Sequence, residues 1–129
     1  MAQFKLNPQN LIFCRAVLRN QRRSISLKLA LDTGASYTMV SYDAAREIGI
    51  DPSKSHRQID VTTGSGVILT PVVSIPIFQS LGQEVKNLEV ICHDLPSEGI
   101  VDGLLGLNFL KHFNVNLRFL ERIMEVTSR

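Results

Sequence analysis

The sequence has no long apolar run, no excess of one charge and only two cysteines. No stretch approaches the length of a membrane-spanning helix, and the opening MAQFKLNPQN carries no apolar signal segment. The expectation is a cytoplasmic chain, or a piece cut from a larger anchored parent. Fourteen Lys and Arg against 12 Asp and Glu leave a formal charge of +2. That near-neutrality argues against a dedicated nucleic-acid binder, which concentrates basic charge on one face. Arg19, Arg22 and Arg23 come nearest, and they read as a solvated turn. Cys14 and Cys92 lie in apolar runs, where a thiol packs as a small hydrophobe. One disulfide between them is left open, and nothing else points to an oxidising compartment.

Other chemistries are absent too. Gly103-Leu104-Leu105-Gly106 lacks the lysine and the glycine pattern of a phosphate loop. Cys92-His93-Asp94 joins metal-ligand residue types, but neighbours on a strand face opposite ways and no second cluster exists. His56 and His112 are isolated. Neither Ser36 nor Ser65 sits in a nucleophile turn. No cofactor and no metal are expected. There is no internal repeat, low-complexity tract or linker.

What remains is 129 residues, 44% hydrophobic and 20% charged. That fits one globular domain, 1–129, with a core that needs no staples; residues 1–9 read as a flexible N-terminal arm. LIFCRAVLRN (11–20) and SISLKLAL (24–31) form a predicted hairpin, the second strand alternating at Ile25, Leu27, Leu29 and Leu31. YTMV is a short strand. SYDAAREIGI is a helix with Ser41 as cap, Asp43 and Ala44 in its first turn and Gly49 at its end. DPSKS is a turn. RQIDVTT and VILTPVVSIPIF (67–78) are strands joined at Gly64-Ser65-Gly66, and Pro71 and Pro76 suit edges or bulges. EVKNLEVICH, IVDGLLG, VNLRF and RIMEV supply further strands, HDLPSEG a loop and LNFLKHF a second short helix. The class is all-β: a small barrel or folded sandwich with two short helices.

One stretch resists a purely structural reading. LALDTGASYTMV, residues 29–40, carries Asp32 toward the interior among small residues. A carboxylate moved toward a core costs several kcal/mol unless compensated. Asp is common in turns and caps, and that is the bland reading. Downstream, Ile100-Val101-Asp102-Gly103-Leu104-Leu105-Gly106-Leu107-Asn108-Phe109-Leu110 stands out as a second motif, with the Gly-Ser-Gly hairpin tip between the two.

Asp-Thr-Gly-Ala-Ser after apolar residues, then a Gly-rich hairpin, then two apolar residues and a Gly leading into a short helix, resembles the retropepsin-like aspartic proteases, from about residue 11 to the C-terminus. The resemblance implies a small closed β-barrel of the acid-protease type with one or two short helices. It implies an aspartic endopeptidase. Two carboxylates ~3 Å apart share a proton, so one can take a proton from water while the other gives one to the peptide carbonyl. Asp32 supplies one of them. Asp102 lacks the Thr-Gly frame, so the second is Asp32 of another copy, and the enzyme is a homodimer acting on an extended peptide or protein substrate. Thr33 bonds across the site, Gly34 and Ala35 admit close backbone approach, and Ser36 orients the loop or its carboxylate. Thr62, Thr63, Gly64, Ser65, Gly66 and Val67 form a flap, with no aromatic at its tip. Leu104, Leu105, Gly106 and Asn108 pack beneath the loop, Asn108 bonding backbone at the start of the helix. Leu29, Val67, Ile68 and Leu104 are expected to line substrate pockets. Viral members carry Asp where Ser36 stands and Arg where Leu107 stands, so the pattern is closer to cellular and bacterial relatives. A bell-shaped pH profile on the acidic side of neutral follows from the shared proton. The rival reading is a non-catalytic dimerisation or peptide-binding module on the same fold.

Overall fold

The computed structural model describes residues 1–6, 11–95 and 101–128. Ten strands run in the order β1 Ala2–Lys5, β2 Phe13–Asn20, β3 Arg23–Leu31, β4 Thr38–Val40, β5 Gln58–Thr63, β6 Gly66–Ser80, β7 Gln83–Cys92, β8 Gly103–Leu105, β9 Asn114–Arg118 and β10 Ile123–Thr127. Two short helices, α1 Tyr42–Glu47 and α2 Leu107–Leu110, interrupt them. Neighbours run β2-β3-β8-β4-β7-β6, and β6 pairs back onto β2, closing a six-stranded barrel. β5 hangs off β6 as a hairpin arm, and β1, β10 and β9 form a separate three-stranded sheet. The all-β, closed-barrel expectation holds.

Closure follows from alternation. Leu27 and Leu29 of β3 point into the core, as the period-two pattern predicts, and Ile25 and Leu31 pack against it half-buried. Ala16 and Leu18 of β2, Ile75 and Phe78 of β6, and Leu105 of β8 meet them with no solvent exposure. Phe109 of α2 stacks obliquely on Phe78, ring centroids 5.4 Å apart, and on Phe113 at 5.1 Å. α1 begins at Ser41, whose Oγ accepts from the Ala44 N–H at 3.1 Å. It stops at Gly49, whose φ of +80° only glycine adopts freely.

β6 spans 15 residues and includes both prolines. Pro71 is the last residue paired with β5, and the ladder to β7 begins at Val72. At Pro76 the β7 ladder skips one pair, and the opposing Asn87 takes a positive φ of 55°. Each proline therefore falls where a ladder hydrogen bond is already missing. DPSKS winds into a 3-10 turn at Pro52–Lys54, its N–H of Ser53 bonded to Asp51 Oδ1.

The N-terminal arm reads differently in the structure. Ala2–Lys5 pairs with β10 from Ala2↔Val126 to Lys5↔Ile123. Four residues carry too little pattern to mark a strand by themselves, and the pairing comes from the far end of the chain. Residues 7–9 of the expected arm, residues 96–99 of HDLPSEG and Ile100 lie outside the described residues. Among the described residues, no helix is long and apolar enough to cross a membrane.

Cys14 and Cys92 are free and buried. Burial pushes the Cys14 thiol up to about 11. Burial, aided by nearby Asp94, pushes Cys92 up to about 12. Thiolate is the reactive form, so both stay protonated and inert at neutral pH. Titration of the native protein with an aromatic disulfide reagent at pH 8 is expected to label neither, and to label both after unfolding in guanidinium. Fast labelling of the native chain would contradict the burial.

Candidate active site

The Asp32 loop begins where β3 ends. Asp32 is half-buried, and its N–H donates to the Leu105 carbonyl at 3.0 Å. β8 runs parallel to β3 in register Leu29↔Gly103 to Leu31↔Leu105, so the loop is anchored on the strand beside it. The Gly34 N–H donates to Asp32 Oδ1 at 2.9 Å, and the Ala35 N–H to the Asp32 carbonyl at 3.2 Å. A Cβ on Gly34 would lie 3.3 Å from Oδ1, tight against the carboxylate. The chain then meets α2: the Ala35 carbonyl accepts from Leu107 N at 2.8 Å, and the Ser36 carbonyl from Asn108 N at 3.2 Å.

Within the chain the Ser36 hydroxyl does not reach the carboxylate, and the bond expected of Thr33 is one toward the loop of a second copy. Both are exposed, and neither side chain makes a hydrogen bond among the described residues. Asp32 is held by backbone instead, and Ser36 contributes its carbonyl. The buried hydroxyl belongs to Thr38, fully enclosed on β4. Its Oγ1 donates to Asn108 Oδ1 at 2.9 Å and accepts from Gly106 N at 3.1 Å, while its N–H donates to the same Oδ1 at 2.7 Å. Asn108 Nδ2 donates to the Glu89 carbonyl at 2.5 Å. Asn108 thus bonds backbone on β4 and β7, not at the start of its own helix. The signal for Thr38 was a lone hydroxyl residue opening an apolar strand, which sequence alone reads as ordinary β-branched filler.

Thr38→Val keeps the shape but leaves the Gly106 N–H unpaired in the interior. It is expected to cost about 1–3 kcal/mol, seen as a lower urea midpoint with unchanged slope; an unchanged midpoint would count against this brace.

Leu105 is fully buried beneath the loop and Leu104 half-buried. Gly106 sits under Tyr37, where a Cβ would lie 2.6 Å from backbone. Asp102 is elsewhere: its Oδ2 accepts from Lys28 N at 2.8 Å, and its N–H donates to the Lys28 carbonyl at 2.7 Å. Its carboxylate is committed to the β3 backbone.

A cleft of about 520 Å³ opens between the loop and the β5–β6 hairpin. Asp32, Gly34, Ala35 and Ser36 line one side, and Met39, Ile91 and Leu104 form an apolar wall. Ile59 and Val61 of β5 pack onto that wall. Of the predicted flap, Thr62 lines the cleft and Gly64, Ser65, Gly66 and Val67 do not. Thr63 pairs with Gly66, which leaves Gly64-Ser65 as the turn, and Val67 is 65% exposed. Of the expected pocket residues, Leu104 lines the cleft. Leu29 is buried in the barrel core, because it lies on the inner face of β3, and Val67 and Ile68 stand outside the cleft. Met39, Ile59, Val61 and Ile91 take their place.

Among the described residues, the charged ones lining the cleft are Asp32 and Asp60. Asp60 is exposed on β5, between the half-buried Ile59 and Val61. Among the described residues no group of His, Cys, Asp and Glu could hold a metal ion. A larger cavity, about 800 Å³, lies apart from the cleft, beside Phe4, Cys14, Leu81 and Met124. Among the described residues its one carboxylate is Glu84, and these offer no pair of acids for activating water.

Residues 20–109 match the aspartyl protease family. The fold matches the crystal structure of a retropepsin-like aspartic protease from Rickettsia conorii with a TM-score of 0.72, at 20% identity, covering 95% of this chain and 86% of that one. No curated protein matches the sequence.

Proposed function

The chain belongs to the aspartyl protease family, and from that premise we infer that it is an endopeptidase acting through two Asp32 carboxylates, one from each subunit of a homodimer. The observation that carries this reading is Asp32 itself, half-buried at the edge of an apolar cleft and held through Oδ1 by the Gly34 N–H. The loop supplies one carboxylate, Asp102 is spent on Lys28, and Asp60 rides on the hairpin arm. A two-fold axis beside the loop brings a second Asp32 into reach and covers the exposed Thr33.

The chemistry then balances without a cofactor. A water oxygen attacks the peptide carbonyl carbon and gives its proton to the ionised carboxylate. The protonated carboxylate gives its proton to the carbonyl oxygen, forming a gem-diol. Collapse breaks the C–N bond, moves a proton to the departing nitrogen and leaves a carboxylic acid and an amine. Ile59 and Val61 above, with Met39, Ile91 and Leu104 behind, favour apolar side chains beside the scissile bond. The hairpin arm closes over the peptide and excludes bulk water.

The test uses mixed dimers. Native chain and Asp32→Asn chain are unfolded together at one to nine and refolded. Random pairing leaves about a tenth of the native chains in native homodimers, so the rate per native chain is expected to fall about tenfold. An unchanged rate per native chain means that one chain carries the whole site.

A further inference from the structure

A second cavity, about 500 Å³, adjoins the cleft. Ser36 and Tyr37 line both, so they form the wall between them. Its apolar surface comes from Val85, Leu88 and Leu107, the last 42% exposed. Its rim carries Lys86, Lys111 and His112, all exposed. Neither lysine is in an ion pair among the described residues. Among the described residues, the one carboxylate in the lining, Glu89, is already matched by an ion pair with Arg57. That guanidinium also donates to the Tyr37 hydroxyl at 3.2 Å, and Asn108 fixes the Glu89 main chain from behind. The dividing wall is therefore a braced Tyr37–Arg57–Glu89 unit, and the groove beyond it keeps unmatched positive charge. The cleft on the near side has the opposite character, since its charged residues among those described are Asp32 and Asp60.

We propose that this groove binds acidic residues flanking the cleaved segment of an extended substrate. The inference rests on the endopeptidase reading for the substrate's path, and it names the substrate class: an apolar centre with an acidic flank. Charge complementarity selects the occupant, and continuity with the cleft through Ser36 and Tyr37 says how it arrives. In a two-fold dimer the groove occurs once at each end, so acid on either flank is recognised. An acidic residue at the centre meets Asp32 and Asp60 and is disfavoured.

The experiment compares three fluorescein-labelled peptides. They share one apolar core, flanked by Glu-Asp residues, flanked by Gln-Asn residues, or with the acidic pair moved to the centre. Binding to the Asp32→Asn protein is read by fluorescence anisotropy in 50 mM salt, and kcat and KM are read on the native protein. The acidic-flank peptide is expected to bind roughly 5- to 20-fold more tightly than the amide-flank one, a preference that fades in added salt. Lys86→Gln combined with Lys111→Gln is expected to erase that preference, with the change falling on KM. Equal binding of the two flanks, or a preference that survives the double substitution, overturns the proposal. Cleavage without flank preference rejects the groove and leaves the endopeptidase standing. Flank-selective binding by a chain that cuts nothing supports the groove and rejects the endopeptidase.

Discussion

Asp32→Asn is expected to abolish peptide hydrolysis, by at least about 10³-fold, the scale of a lost general acid–base pair. The amide keeps the size of the carboxylate, and its oxygen still accepts from the Gly34 N–H, a bond that spans 2.9 Å in the native chain. Loop geometry, dimerisation and thermal stability are therefore expected to stay close to native. What goes is the ability to hold and release a proton. The measurement is cleavage of a mixed peptide library between about pH 4 and 8, with circular dichroism and sedimentation on both proteins. Cleavage by the native protein alone supports the aspartic mechanism, and its cut sites report the side-chain preference. Equal cleavage by both removes Asp32 from the chemistry. No cleavage by either folded dimer favours the non-catalytic binding module.

The second large effect concerns a glycine outside the Asp-Thr-Gly motif. A Cβ on Gly103 would lie 2.0 Å from the Met39 carbonyl oxygen and 3.0 Å from its carbon. Both obstacles are backbone, on a strand hydrogen-bonded to β8 and β7 at once. No side-chain rotation relieves them. Gly103→Ala must push β4 and β8 apart, breaking the pairing at Val40↔Gly103 and Met39↔Leu104. The expected cost is more than about 3 kcal/mol, beyond the usual range for overpacking, seen as a collapsed denaturation midpoint or as insoluble protein. Gly64→Ala is the control. Nothing lies within 4 Å of the added methyl, so its stability is expected to stay within about 0.5 kcal/mol of native. A Gly103→Ala protein as stable as that control would show that the barrel is looser between these strands than the geometry says.

Much of the barrel is legible in the chain because each buried strand alternates by its own residues. β3 displays Leu27 and Leu29, and β7 displays Leu88 and Val90. β1 is not legible: AQFK is short, and its partner is far away in sequence. Asp32, Gly34 and Gly106 are legible as a spaced motif. The roles around them are less so. Ser36 looks like a natural donor to the carboxylate, yet it is exposed and makes no side-chain hydrogen bond among the described residues, while Thr38 braces the loop from a strand that reads as pure core. The hairpin is legible only in part. Its glycines draw attention to the tip, but the cleft wall is built by Ile59 and Val61, whose placement depends on which face of β5 turns inward.

The hydrogen bond from Asp32 to the Leu105 carbonyl has a bearing on how the molecule comes into being. Synthesis proceeds from the N-terminus, so the Asp32 loop emerges long before the strand that anchors it. Contacts that close such long loops form late. A nascent chain can make the β2–β3 hairpin early, but it holds an unanchored acid loop until β8 and α2 arrive. The sheet that joins Ala2 to Val126 closes later still. The Asp32 loop is thus held only once Leu105 has been made, and an interrupted chain ending before Leu105 carries the motif without the means to hold it in place.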